Sequence, residues 1–235
     1  MNARRARARV LLIGVGGLGS PCAIALARAG IGTLGFVDDD VVERTNLHRQ
    51  ILFTDVDVGR SKIEAARDAL HALAPDLVLE GQETRILPRN ADELVAAYDL
   101  VVEGSDNFAT KFLTADACAR LGVPVVHGAS VRWIGTVLAV DAKAKPCYRC
   151  LFEDVPRGDA PNCAEAGVMG PVVGIVAALQ ADLALALIDG SDVAGTLVTV
   201  DGKAEVLRRR RLRPRADCKN TGKSGKISAA STREV

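Results

Sequence analysis

An α/β architecture is predicted by this sequence: a mainly parallel mixed sheet with helices on both faces and an antiparallel edge at its C-terminal end. Three observations carry that prediction. Short apolar runs alternate with stretches whose apolar residues recur at helical spacing. The first run stops at glycines spaced Gly14, Gly16, Gly19, the strand–turn–helix arrangement of a Rossmann-like fold. Beyond about Ser130 apolar runs follow without a helix between each pair, which calls for antiparallel neighbours.

Each element has its own signal. "RVLLIG" is a run apolar on both faces, a buried strand, and the small residues of 18–29 form the helix after the glycine turn. "TLGFVD" is a second strand. After a polar loop, "SKIEAARDALHAL" places Ile63, Ala66, Leu70 and Leu73 on one helical face. "LVLEGQET" is a third strand, "DELVAAY" a short helix, "LVVEGS" a fourth strand, "FATKFLTADACARLG" a helix and "VPVVHGA" a fifth strand. "IGTVLAVD" then follows as a strand with no helix before it. A Pro-, Gly- and Asp-rich loop over 151–170 leads to a helix over 171–188, and "GTLVTVD" with "AEVLRRRRL" reads as a hairpin turned at Asp201-Gly202. From Asn220 onward the chain is polar and rich in Gly and Ser, so residues 1–219 are expected to form one unit and 220–235 a disordered tail.

Composition narrows the function classes. The 235 residues are 49% hydrophobic and 25% charged, with a formal net charge of +1. That balance gives no bulk attraction to nucleic acid or to an anionic membrane. With five Phe, two Tyr and one Trp, the core must be aliphatic. The N-terminal apolar run reaches glycine after four residues, too short for a signal peptide. The apolar stretch 172–188 is interrupted by Gln180 and Asp182, as in a buried helix rather than a membrane span. Six cysteines with a single Cys-x-x-Cys pair suit a cytoplasmic protein with metal-binding or reactive thiols better than a disulfide scaffold.

The glycine turn accepts any phosphate, because helix N-terminal N–H groups do not distinguish donors. Asp38, at the end of the second strand, suits a ribose hydroxyl pair. The stretch that follows, "DDDVVERTNLHRQ", adds Asn46, Arg49 and Gln50, and Lys62 comes after the next loop. Two cations beyond a ribose balance the β- and γ-groups of a triphosphate and stabilise charge as pyrophosphate departs. Asp106 in "GSDN" supplies a carboxylate for Mg²⁺. The bland counter-reading makes Arg49 and Lys62 surface charges and Asp106 a helix cap.

In order, "GVGGLGS", "DDDVVERTNLHRQ", "VGRSK", "SDN" and "CAEAGVMGPVVGIVAALQA" resemble the ThiF/MoeB/HesA family of ubiquitin-activating-enzyme-like adenylyltransferases, over about residues 10–218. The resemblance implies ATP- and Mg-dependent adenylation of the C-terminal glycine of a small ubiquitin-like sulfur carrier ending in Gly-Gly. Such carriers serve thiamin, molybdopterin and related cofactor biosynthesis. It also implies a homodimer. Carried over by position, Gly14, Gly16, Gly17 and Gly19 form the phosphate turn and Asp38 and Asp40 lie at the ribose. Asn46, Arg49, Gln50 and Lys62 reach the phosphates, and Asp106, with Asn107 beside it, is the Mg²⁺-binding catalytic acid. An ionised carboxylate needs no general base to attack phosphorus, so positioning and charge stabilisation suffice. His48, His71 and His127 accordingly take bland loop, helix and strand-end readings.

The same resemblance assigns the cysteines. Cys147 and Cys150 form half a zinc site, but the second pair is broken: Cys218 is present and its partner position is Thr221. Either three thiolates hold Zn²⁺ with an outside ligand, or the site is weak or vacant. Cys163, in "PNCAEAGVMGP", matches a position used in some members for covalent sulfur chemistry; an inert loop thiol is the alternative. Cys22 and Cys118 read as core residues. The family's longer N-terminal segment, with an arginine that reaches a partner subunit, is not matched here; Arg4, Arg5, Arg7 and Arg9 read as a solvated basic tail. Three other readings use part of the same residues: an NAD-dependent oxidoreductase, a tRNA-modifying dehydratase using "LRRRRLRPR", and a non-catalytic carrier-binding module.

Overall fold

A computed structural model describes residues 2–154 and 167–218. Five strands come first, interleaved with helices: β1 (Arg9–Ile13), α1 (Gly19–Arg28), β2 (Thr33–Asp38), α2 (Lys62–Leu73), β3 (Val78–Glu83), α3 (Ala91–Ala96), β4 (Leu100–Glu103), α4 (Phe108–Leu121) and β5 (Val125–Val131). Then come β6 (Ile134–Val140), the single turn α5 (Tyr148–Leu151), α6 (Gly170–Ile188), β7 (Thr196–Asp201) and β8 (Val206–Arg211). One eight-stranded sheet results, in the order β3-β2-β1-β4-β5-β6-β7-β8. β3, β2, β1, β4 and β5 run parallel, and β6, β7 and β8 add antiparallel strands, as the sequence predicted.

The period-2 pattern of β1 explains the two layers of core. Val10 and Leu12 face a cluster built with α1, α2 and α6; Leu11 and Ile13 face one built with α3, α4 and α5. Helix α6 is long and apolar enough to cross a membrane. Here it packs on the sheet instead, burying Val172, Val176, Ala177, Ala181 and Ala184, and Val176 closes on the bare backbone of Gly135 in β6. Strand order reverses on either side of β1, so a crevice opens at the carboxyl ends of β1 and β4.

Three expectations change. The N-terminal arginines are not a solvated tail: residues 5–7 form a 3₁₀ turn, Arg5 Nη2 meets Asp189 Oδ2 at 2.5 Å, and Arg4 Nη1 donates to the Asp189 carbonyl at 2.6 Å. Arg9 pairs with Glu80 and lies over the Tyr98 ring. Asp189 follows the last turn of α6, where carbonyls and a carboxylate together attract guanidinium groups. The hairpin after β7 turns through residues 202–205 rather than at Asp201-Gly202 alone, because the Asp201 carboxylate accepts the amides of Lys203 and Ala204. "CYRC" carries the unpredicted turn α5. The expected tail, 220–235, lies outside the described residues.

Candidate active site

A cavity of about 490 Å³ occupies the β1–β4 crevice, within the usual range for small-molecule sites. Gly14 follows β1 at φ +83°, a conformation side chains rarely adopt. Gly19 opens α1 so close to that turn that a Cβ would lie 2.0 Å from the Gly14 carbonyl oxygen. Gly19 shapes the turn from behind, whereas Gly14, Gly16 and Gly17 line the cavity.

Asp38, at the end of β2, accepts the Val15 amide at 2.8 Å and the Asp40 amide at 3.0 Å. Burial raises its carboxyl above the usual range, although Lys62 and both amides pull the other way. Lys62 is the first residue of α2, held there by the Ser61 cap, whose hydroxyl accepts the Ile63 amide. Its ammonium is almost wholly buried, 2.7 Å from Asp40 Oδ2 and 3.7 Å from Asp38 Oδ1. It is therefore no surface charge.

Arg49 reaches the cavity by lying across Gly17, where a Cβ would sit 3.2 Å from Arg49 Cγ and Cδ. Its guanidinium donates to Asn46 Oδ1 at 2.7 Å, and Asn46 Nδ2 donates to Glu43 Oε2 at 3.1 Å. Gln50 is buried at the wall, and its Oε1 has no hydrogen-bond partner among the described residues. Such an orphaned acceptor suits a ligand donor.

Asp106 follows β4 on the loop 104–107. Asn107, not Asp106, caps α4: its Oδ1 accepts the Thr110 amide at 2.8 Å. The Asp106 carboxylate is thus not spent on the helix and stands exposed at the cavity wall. The structure therefore brings Arg49, Lys62 and Asp106 to one cavity at the glycine turn, together with Asp38, Asp40, Asn46, Gln50 and Asn107. Arg85, which the sequence reading missed, lines it too. It pairs with Asp39 at 3.1 Å, and Asp39 first, then Asp40 and Asp106, raise its pKa. Its signal was its place directly after a strand in a parallel sheet, where ligands gather. Glu43, Thr84 and Ser130 are further lining residues not anticipated.

The ThiF family model matches residues 3–220. This chain belongs to the ThiF family. Among curated ThiF-like relatives, the SAMP-activating enzyme E1 of Haloferax volcanii is 42% identical over 222 residues, covering 92% of this chain and 81% of that protein. The sulfur carrier protein adenylyltransferase of Thermus thermophilus is 41% identical over 223 residues, covering 92% and 82%. The adenylyltransferase and sulfurtransferase MOCS3 of Culex quinquefasciatus is 41% identical over 216 residues, but these are only 49% of its length. The chain thus spans about half the length of the MOCS3 relatives it matches. In fold it is similar to E. coli MccB solved with ATP, with a TM-score of 0.82 at 21% identity, covering 94% of this chain and 68% of that one.

Away from the cavity, the ThiF chain gathers three buried thiols. Cys147 Sγ lies 3.4 Å from Cys218 Sγ and 3.9 Å from Cys150 Sγ. Those spacings fit thiolates around one tetrahedral zinc, whose sulfur–sulfur separations are about 3.8 Å. Burial raises the Cys147 thiol to about 12, with Cys218 adding to the rise. Cys150 is lowered: burial opposes it, but the Arg215 amide, at 3.5 Å, and Cys147 favour its thiolate. Among the described residues three side chains make up this cluster. Thr221 and Cys163 lie outside the described residues. Cys22 and Cys118 are core residues.

Proposed function

We propose that the cavity binds ATP and that the chain adenylates the C-terminal glycine carboxylate of a small ubiquitin-like sulfur carrier ending in Gly-Gly. The convergence of Arg49, Lys62 and Asp106 on one cavity behind the glycine turn carries this reading. A nicotinamide site would leave all three idle. The Thermus relative, named a sulfur carrier protein adenylyltransferase, and the Haloferax relative, named a SAMP-activating enzyme E1, support it.

In the proposed reaction a carrier carboxylate oxygen forms a bond to the α-phosphorus. The bond from that phosphorus to the bridging oxygen breaks, and its electron pair leaves with pyrophosphate. The nucleophile arrives ionised, so no side chain need take a proton. Asp38 binds the ribose, Asp40 sits beside it, and the amides of the glycine turn approach the phosphates. Arg49 and Lys62 offset the charge that builds on the leaving group, and Asn46 orients Arg49. Gln50 and Asn107 complete the wall. Asp106 would hold Mg²⁺, which would supply Lewis-acid stabilisation of the phosphate charge.

The reading extends to a homodimer in the cytoplasm, to residues 1–219 as one adenylation unit with 220–235 as its tail, and to structural Zn²⁺ on Cys147, Cys150 and Cys218. Cys163 would serve the later sulfur chemistry, so Cys163→Ala leaves adenylation intact and abolishes sulfur loading of the carrier. The deciding experiment is ATP–pyrophosphate exchange with Gly-Gly carriers. Carrier-dependent exchange is expected. ATP binding with no exchange across several carriers would make this a binding module.

A further inference from the structure

Beneath the cavity lies a buried charge assembly that the reaction above does not use. Glu103, the last residue of β4, is fully buried. Its Oε2 accepts the Lys111 ammonium of α4 at 2.7 Å and lies 3.5 Å from His127 Nδ1 of β5. Lys111 also donates to the Gly128 carbonyl at 2.5 Å. The other oxygen, Oε1, accepts the Ser105 amide at 2.7 Å and the Ser105 hydroxyl. The Glu103 carbonyl accepts Gln180 Nε2 of α6 at 2.9 Å. A single residue therefore ties β4, α4 and α6 to the residue immediately before Asp106.

Burying a carboxylate and an ammonium costs desolvation that their attraction only partly repays. An apolar pair would serve packing better, so the use of the charges must be sought in geometry. The loop 104–107 crosses the cavity wall with Asp106 exposed at its apex. Its fixed points are the Gly104 amide on the Ile13 carbonyl, Ser105 on Glu103, and the Asn107 cap. Glu103 supplies the middle one, adjacent to Asp106.

We propose that Glu103, fixed by Lys111, is a positioning residue that sets the placement of Asp106 for phosphoryl chemistry. This rests on the adenylation reading. The donor inventory makes it testable. Both carboxylate oxygens of Glu103 face donors, Lys111 on one side and the Ser105 N–H and O–H on the other. A glutamine can accept on one side only, so Glu103→Gln sets an NH₂ against donors on one side or the other. Removing Lys111 as well, in Glu103→Gln/Lys111→Met, lets the amide oxygen turn to Ser105 and restores the tie.

The test combines steady-state ATP–pyrophosphate exchange with hydrogen–deuterium exchange of the peptide spanning 104–107 in the full chain. Glu103→Gln should lower kcat by about 10- to 100-fold while KM for ATP stays within about twofold, since a misplacement on the ångström scale costs rate rather than ground-state binding. Amide exchange at 104–107 should quicken by about tenfold as the Ser105 bond is lost. The double variant should recover kcat to within about threefold of wild type. The proposal is overturned if folded Glu103→Gln keeps kcat within twofold, if KM rises in step with the loss, or if the double variant is no better than the single one. Should Glu103→Gln not fold, Ser105→Ala decides: a several-fold fall in kcat at constant KM supports the tie, and unchanged kcat refutes it. Absence of exchange in wild type would sink the adenylation reading, while the amide exchange of Glu103→Gln against wild type would still report on the loop.

Discussion

The middle of this sheet and its far edge treat charge differently. At the β1–β4 crevice, Lys62 is buried against Asp40 and Asp38, Arg49 lies over a glycine with Asn46 orienting its guanidinium, and Asp106 is left uncapped. At the far edge β8 exposes Arg208, Arg209, Arg210 and Arg211, and Arg211 meets Asp192 across the surface. The first arrangement costs desolvation and fixes side chains toward a cavity. The second costs little, and its charges blunt an open strand edge. Charges that neighbours fix toward a cavity are the ones to read as a candidate site; exposed charge on an edge needs no ligand to explain it.

The largest effect that would break this contrast is at Asp106. Asp106→Ala should lower carrier-dependent exchange by about 10²-fold or more with the melting temperature unchanged, since the residue caps nothing. Full activity would return the crevice to the same status as the edge. A second test concerns the thiols, which lie away from the cavity. On the proposed zinc reading, Cys218→Ser or a chelator should lower the melting temperature by several degrees, because a structural zinc contributes directly to folding. KM for ATP should not move. A chelator without effect on the melting temperature would leave the thiols as plain core residues.

Acid sharpens the contrast further. Burial lowers His127 below its usual 6.5 although Glu103 opposes this, so the fold resists its protonation and loses stability as pH drops beneath that value. Burial would raise Glu103, but Lys111 and His127 hold it at about 2; its contribution is complete above 4.5 and is lost toward pH 2. Asp38, raised by burial, acts in the opposite sense, its protonation relieving a cost. A melting curve against pH should therefore fall below about 6.5 and again below about 4.5, and Glu103→Gln/Lys111→Met should show a smaller lower step, the remainder coming from lowered carboxylates such as Asp57 and Asp189. The smallest effect is expected at the N-terminus. Arg5→Ala removes a half-buried surface pair with Asp189 and should leave exchange unchanged and shift melting by about one or two degrees. A large loss of exchange would show that this arginine serves a site rather than its own chain.

Much of this was legible in the chain. Period-2 and period-3.6 patterns gave the strands and helices almost to the residue, and "DDDVVERTNLHRQ" with Lys62 and Asp106 picked out groups that do share a cavity. What escaped was non-local. Nothing in "RRARAR" says that Asp189, far along the chain, will receive it. Nothing in "LVVEGS" separates a buried Glu103 from an exposed one until α4 brings Lys111 beside it. Arg85 needed only the rule that ligands sit at strand ends, applied to the third strand as it was to the second.

The lodging of Lys62 between Asp38 and Asp40 has a consequence for turnover. On the adenylation reading, an incoming polyanion would not meet a naked cation; it would have to displace the counter-anions that already satisfy the ammonium. Those aspartates would be at hand to take the lysine back when pyrophosphate departs, a return path that an unguarded lysine would lack.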